Sequence, residues 1–232
     1  MLNLPKYPTT VWSLDFIQNH HEISHLFSLL SPQEQERCRT LKTPSLQQAF
    51  TTRRGRLRQI LTHYQPHTSP QTWEFETNTY GRPILKQYHP LSFNITHTPT
   101  QAFCLTSPHT ICGIDSERVS PIDINSSFFT HTLTSNEQHL IRSIPSSLHA
   151  RAFTAFWCLK EAHLKALGVG LTSPMNTLEI PLTIQDLSNQ TDIHIHTDTW
   201  DYHLYYRNAF DIVATALCTS MSSFEPIEFN IA

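Results

Sequence analysis

Phe156-Trp157-Cys158-Leu159-Lys160-Glu161-Ala162-His163-Leu164-Lys165-Ala166-Leu167-Gly168-Val169-Gly170-Leu171 is the stretch on which the reading of the chain turns. Ala, Leu, Lys and Glu fill its interior and favour a helix, and Gly168 stands where the residue just past a helix C-terminus belongs. Trp157, Glu161 and Lys165 recur every four residues and share one face. Phe153, Phe156, Leu159 and Leu164 are left to bury the other faces. Taken alone, a Glu one turn before a Lys is the pattern of a surface pair that steadies a helix slightly.

A second acidic element, Gly113-Ile114-Asp115-Ser116-Glu117, changes that reading. In an extended strand Asp115 and Glu117 point to one side and Ser116 to the other. Glu161, arriving from a helix, would complete a cluster of hard oxygen ligands. Magnesium is typically held by one or two carboxylates together with substrate phosphates and water. Lys165, one turn beyond Glu161, would meet a phosphate oxygen as a point charge. The pattern predicts a Mg²⁺–pyrophosphate site with Asp115, Glu117 and Glu161 as the metal ligands. Without Glu161, D-x-E would be read as a solvated strand face.

The 232 residues are 39% hydrophobic, enough for one large domain or two small ones, and carry 16 Lys+Arg against 19 Asp+Glu. That balance excludes a nucleic-acid-binding polycation, so any phosphate binding must come from local clusters of basic residues. Five cysteines without a C-x-x-C are read as free, buried thiols in a reducing compartment. Met1 to Thr10 has no apolar core of a signal peptide, and no run approaches the roughly 20 apolar residues of a membrane helix. A cytoplasmic protein without membrane or nucleic-acid partners is expected. His194 and His196 alternate with Ile193 and Ile195, which places two imidazoles on one face of a strand, solvated or holding zinc.

Along the chain, Val11 to Phe16 is read as a strand and His20 to Leu30 as a helix. Ser31-Pro32-Gln33-Glu34 opens the next helix with a capping box. A long helix follows from near Ser45 to Tyr64 and carries the basic cluster Arg53, Arg54, Arg56 and Arg58. Thr72 to Thr77 alternates as a strand and Asn78 to Pro83 is a turn. Gln101 to Thr106 and Thr110 to Val119 are strands. A helix covers Phe128 to Ile144, with a start near Thr134. From Leu178 onward the pattern is mostly strand, and Met221 to Ala232 gives no clear signal.

Two motifs resemble the 4′-phosphopantetheinyl transferase superfamily: Gly113-Ile114-Asp115-Ser116-Glu117 for G-[IV]-D-x-E, and Trp157 to Leu171 for W-x-x-K-E-[AS]-x-x-K-x-x-G-x-G-L. Gly81-Arg82-Pro83 is similar to the family's G-[KR]-P segment near the nucleotide. Phe93-Asn94-Ile95-Thr96-His97-Thr98 is similar to F-N-[LIV]-S-H-[ST], with Thr96 in place of the usual Ser. Phe50, Arg54, Arg58 and Leu61 fit F-x-x-x-R-x-x-x-R-x-x-L. The resemblance implies that Arg54 holds the 3′-phosphate of coenzyme A and that Arg82, Thr96, His97, Lys160 and Lys165 lie against the coenzyme. It also implies that Glu161 and Lys165 are catalytic. Glu161 is assigned first as a metal ligand and second as the base.

The chain also repeats itself without a gap: Leu30, Glu34, Gln35 and Arg39 match Leu133, Glu137, Gln138 and Arg142, and Ala49-Phe50-Thr51 matches Ala152-Phe153-Thr154. The resemblance agrees with this, because the larger, surfactin-synthetase-activating type in the family is a monomer of two similar halves. The expected fold is α+β, with two halves related by a pseudo-twofold axis. Residues 1–108 would supply coenzyme A contacts and residues 109–232 the Mg²⁺ and catalytic groups. The implied reaction moves the phosphopantetheine arm of coenzyme A to a serine of an acyl or peptidyl carrier protein, leaving 3′,5′-ADP. A Mg²⁺-dependent nucleotide or coenzyme A pyrophosphate hydrolase and a catalytically silent coenzyme A-binding module are the alternatives.

Overall fold

Ser31 and Thr134 start two helices in the same way. Each hydroxyl accepts the N–H of a Glu three residues on, and that Glu accepts the backbone N–H of the capping residue. A computed structural model of the chain describes residues 8–14, 19–86, 91–99, 101–108, 111–170, 173–188, 191–207, 211–218 and 228–231. The first stretch runs β1 (Thr10–Ser13), α1 (His20–Ser28), α2 (Pro32–Arg39), α3 (Pro44–Tyr64), the hairpin β2 (Phe75–Thr77) and β3 (Pro83–Leu85), then β4 (Ser92–His97) and β5 (Ala102–Ser107). The second runs β6 (Cys112–Arg118), α4 (Ser127–Thr132), α5 (Ser135–Ser143), α6 (Ser146–Leu167), α7 (Ile184–Ser188), β7 (Ile193–His196), β8 (Trp200–Tyr206), β9 (Asp211–Cys218) and β10 (Glu228–Ile231).

Two four-stranded sheets carry the fold, in the orders β10-β1-β5-β4 and β6-β9-β8-β7. In the first, β1 pairs antiparallel with β5, which pairs antiparallel with β4; in the second, β6 pairs antiparallel with β9, which pairs antiparallel with β8. The repeat in the sequence therefore appears as the same order of strand, short helices, long helix and returning strands. One strand breaks the division. The tail, which carries no sequence pattern, returns as β10 and lies parallel to β1, so the first sheet takes a strand from beyond residue 108.

Other differences have local causes. The helix expected over 128–144 is two helices, because Thr134 opens its own capping box after α4 ends. Residues 184–188, within a region read as strand, form α7, whose start Thr183 caps through Asp186. The first strand ends at Ser13, and residues 15 and 16 of the expected span lie outside the described residues, as does Leu171 of the long motif.

Helix α6 and the second sheet enclose one core around Phe129, Phe153, Phe156, Leu159 and Leu204. A second core lies under α3, around Leu57, Leu61, Trp73 and Phe93. A third joins the sheets, with Val11, Phe103 and Leu105 from the first against Cys112, Ile114, Val213 and Leu217 from the second. Full burial of each such side chain stabilises by about 1.5–3 kcal/mol. Where β4 meets β6, side chains continue the ladder. Asn94 Oδ1 accepts the Ile114 N–H at 3.1 Å, and Thr96 Oγ1 accepts the Ser116 N–H at 3.1 Å.

Helix α6 lies directly on β6. A Cβ at Gly113 would stand 2.0 Å from the Ala162 carbonyl oxygen and 2.5 Å from the Ala166 nitrogen. Glycine is required there because two backbones touch. Gly113→Ala must push the helix off the strand, and an overpacking penalty of at least about 1–3 kcal/mol is expected in urea unfolding. A midpoint equal to that of the natural chain would contradict this packing.

Candidate active site at the seam of the two sheets

With Gly113 against α6, strand alternation turns Asp115 and Glu117 toward the same helix. The four-residue spacing of Trp157, Glu161 and Lys165 turns those three toward the strand. Lys165 Nζ donates to Asp115 Oδ1 at 2.5 Å and to Thr96 Oγ1 at 3.3 Å. Thr96 in turn donates to Asp115 Oδ1 at 3.1 Å. Trp157 Nε1 donates to Glu117 Oε1 at 3.0 Å. Asp115, Thr96 and Glu161 are all buried, and the Lys165 side chain is about one-third exposed, at 30%. The site is thus assembled from β4 of the first sheet, β6 of the second, and α6.

The electrostatics show a cluster with too few positive charges. Burial, then Asp115 and Glu117, push the Glu161 carboxyl up to about 7, against the pull of Lys165. Burial and Asp115 likewise raise Glu117, while Trp157 and Lys165 oppose them. Burial disfavours the Lys165 ammonium, but Asp115 and Glu161 outweigh it and hold its pKa above the ordinary value. Asp115 Oδ2 is buried without a hydrogen-bond partner. Its neighbour, the buried Cys158 thiol, donates to the Ile212 carbonyl. Among the described residues no three His, Cys, Asp or Glu side chains form a ready-made set of metal ligands. The donor chemistry nevertheless suits a hard divalent cation: three carboxylates repel one another around a single ammonium, and one carboxylate oxygen lacks a partner.

The other residues singled out in the sequence fall in different places. His97 is exposed at the end of β4, and its pKa is lowered by burial and by the charges of Arg53 and Lys165. Arg53, not Arg54, is the arginine beside His97. Arg54 turns the other way, with Nε 3.1 Å from Glu34 Oε1, its guanidinium over the Phe75 ring, and a cavity of about 640 Å³ beside it. The R-x-x-x-R spacing fixes one helix face and does not say which ligand that face meets.

Lys160 turns away from the acidic cluster into the core. It is fully buried, and its ammonium donates to Glu137 Oε2 at 2.5 Å and to the carbonyls of Thr132 and Met175 at 3.0 Å each. A step of 100° around the helix from Glu161 turns it into the core. Arg82 donates to four backbone carbonyls, and Ser116 does not face an empty side. Its Oγ lies 3.3 Å from Thr96 Oγ1, the hydroxyl that holds Asp115. Asn94, missed in the sequence apart from its place in the motif, ties β4 to β6. His196 Nδ1 meets Asp201 Oδ1 at 2.5 Å, and His194 stacks on His203 with centroids 4.2 Å apart.

A two-sheet α+β chain with a buried acidic cluster, one lysine and an exposed histidine at its seam belongs with enzymes that handle phosphate esters. The comparisons are more specific. A family model described as the 4′-phosphopantetheinyl transferase superfamily matches residues 111–218. The chain is 31% identical over 176 residues to the 4′-phosphopantetheinyl transferase HetI of Nostoc sp. (strain PCC 7120), covering 75% of this chain and 73% of that one. It is 30% identical over 150 residues to the 4′-phosphopantetheinyl transferase gsp of Aneurinibacillus migulanus, covering 64% and 59%. It is 26% identical over 168 residues to the 4′-phosphopantetheinyl transferase Sfp of Bacillus subtilis (strain 168), covering 71% of each. The chain belongs to the 4′-phosphopantetheinyl transferase superfamily.

Lys160 separates structure from chemistry within the shared motif. Lys160→Met leaves Glu137 buried without its cation and is expected to lower stability by about 3–5 kcal/mol. Coenzyme A affinity of the folded protein should be unchanged. A stable variant that has lost coenzyme A binding would return Lys160 to the ligand set.

Proposed function

We propose that the chain transfers the 4′-phosphopantetheine arm of coenzyme A to a serine hydroxyl of an apo carrier protein and releases 3′,5′-ADP. Membership of the superfamily supports the reaction class. The observation that carries the residue assignments is the convergence of Asp115, Thr96 and Lys165 within hydrogen-bond distance at the seam, with Asp115 and Glu117 close enough to Glu161 to raise its pKa.

Asp115, Glu117 and Glu161 would hold Mg²⁺, which when bound supplies Lewis-acid stabilisation of the diphosphate. Lys165, charged across the neutral range, neutralises a phosphate oxygen and donates to Asp115. His97, exposed at the end of β4, and Arg53, whose charge reaches it, would present donors to further phosphate oxygens. In this assignment Arg53 takes the part that the family resemblance gave to Arg54, whose guanidinium is engaged by Glu34. Glu161 is first a metal ligand and second the candidate to accept the serine proton, directly or through a metal-bound water. The chain carries no nucleophile of its own in this reading, and the serine comes from the carrier.

The test incubates the protein with Mg²⁺, coenzyme A and an apo carrier protein, then weighs the carrier. A pantetheine-sized gain is expected, with loss of transfer in a folded Glu161→Gln variant and a raised KM for coenzyme A in Arg53→Ala. Release of ADP with no change in the carrier would replace transfer by hydrolysis.

The carboxylate cluster also predicts a pH dependence. A Glu161 pKa raised from 4.5 to about 7 means that the folded, metal-free chain holds this proton more tightly than the unfolded chain. That contribution is complete below the unfolded value and is lost as pH rises through the folded one. A divalent cation competes with the proton, so the rise in Tm on adding Mg²⁺ should be larger at about pH 8 than at about pH 6. A Tm gain independent of pH, or one retained in full by Glu161→Gln, would remove Glu161 from the ion.

A further inference from the structure

Arg82 belongs to the hairpin of the first half, yet its guanidinium ends inside the second. Nη1 donates to the carbonyls of Lys165 at 3.0 Å and Ala166 at 2.7 Å, in the last turn of α6. Nη2 donates to the Cys112 carbonyl at 3.1 Å, at the start of β6, and to the Phe93 carbonyl of β4 at 3.5 Å. A guanidinium has four Nη hydrogens, and all four are directed at backbone oxygens. Nε is buried. No terminal hydrogen remains for a phosphate.

The neighbouring residues complete this arrangement. Asn78 Oδ1 accepts the N–H groups of Tyr80 and Arg82, which shapes the turn, while Asn78 Nδ2 donates to the Gly168 carbonyl at 2.9 Å. Gly168 has φ +70°, and its N–H donates to Lys165 while Val169 N–H donates to Leu164. That is a Schellman end, and it covers some of the carbonyls that a helix leaves open. Arg82 and Asn78 cover others, with a cation placed at the negative end of the helix. A Cβ at Gly168 would stand 2.8 Å from Asn78 Nδ2, so the hairpin seats against this glycine.

Lys165, whose carbonyl Arg82 holds, is the residue whose ammonium contacts Asp115 and Thr96. Resting on the transfer reaction proposed above, we infer that Arg82 is a positioning residue and not a coenzyme ligand. It fixes the last turn of α6 to β4 and β6 and so sets where Lys165 meets Asp115. Asn78 is its partner in this clamp. The G-R-P segment then lies near the nucleotide because it builds the wall there: Arg82, Gly81 and Lys165 line one cavity of about 200 Å³. Lysine at this position would keep the charge and lose the fork, so it would not reproduce the clamp.

The experiment compares the natural chain with Arg82→Ala, Arg82→Lys and Asn78→Asp. Asn78→Asp keeps the acceptor that shapes the turn and removes the donor to Gly168, so it tests the clamp even if Arg82→Ala does not fold. In ligand-free protein, hydrogen exchange of the Gly168 and Val169 amides should quicken by about tenfold or more in all three. In the transfer assay, kcat should fall by about tenfold or more while the coenzyme A Kd, from calorimetry, stays within about threefold. Unchanged exchange, or a large rise in Kd that lysine largely restores, would overturn the inference and make Arg82 a phosphate ligand. If the natural chain modifies no carrier, the transfer reading fails, and the exchange measurement still decides the clamp by the same two outcomes.

Discussion

Helix α6 rests on strand β6 at a distance that only position 113 permits, because it has no side chain. Backbone there meets backbone, with Ala162 and Ala166 on the helix side. A strand presents alternate residues to one face and a helix presents every third or fourth. Once Gly113 fixes the contact, Asp115 and Glu117 must lie along the helix, and Trp157, Glu161 and Lys165 must lie along the strand. The charged groups meet as a consequence of that packing. Two alanines on the helix and one glycine on the strand therefore do as much for the site as the carboxylates do.

A second constraint gives several of the basic residues structural partners. Glu34 and Glu137 each cap a helix, and each also neutralises a buried cation from the long helix that follows. Arg58 Nε lies 2.7 Å from Glu34, and Lys160 Nζ lies 2.5 Å from Glu137. Removing a buried cation strands its carboxylate, which is far costlier than losing a surface pair. Arg54 shares Glu34 with Arg58. Basic residues of the first long helix are therefore divided by face: Arg58 and Arg54 serve the cap, and Arg53 faces His97. In the sequence these arginines are one cluster, and only the helix phase relative to Glu34 separates them.

This division marks how far the sequence could be read. Capping boxes, long helices and the alternation of Asp115 and Glu117 are local, with spacing that carries their meaning, and they were legible. The repeat was legible as well, because Glu34 and Glu137 recur with their neighbours. Strand β10 was not, since its place depends on β1, more than two hundred residues earlier, and no periodicity records that pairing. The break between α4 and α5 was visible only as the cap at Thr134. The surroundings of Lys160 and Arg82 could not be read from the sequence, for a common reason. Long basic side chains in a phosphate-handling motif suggest a ligand, and only the fold shows the backbone carbonyls that the Lys160 ammonium and the Arg82 Nη groups meet. The contact of Ser116 with Thr96 was not legible, because strand alternation describes one sheet and says nothing of a residue arriving from the other.

The position of the site at the seam follows from what its groups require. Asp115 and Glu161 are buried beside the half-buried Glu117 with one ammonium, that of Lys165, among them, and like charges so placed disfavour ionisation. Placed at a seam, they are held from one side by α6 and β6 and approached from the other by β4. That strand brings Thr96 as a donor to Asp115 and leaves His97 exposed. The side-chain bonds from Asn94 and Thr96 to the β6 backbone fix the seam without closing it into a continuous sheet, so room remains for a ligand between the halves. A single folded half would present the acids without Thr96, or His97 without Lys165. The site therefore draws on both sheets, with Asp115 and Glu161 buried between β6 and α6 and His97 exposed at the end of β4.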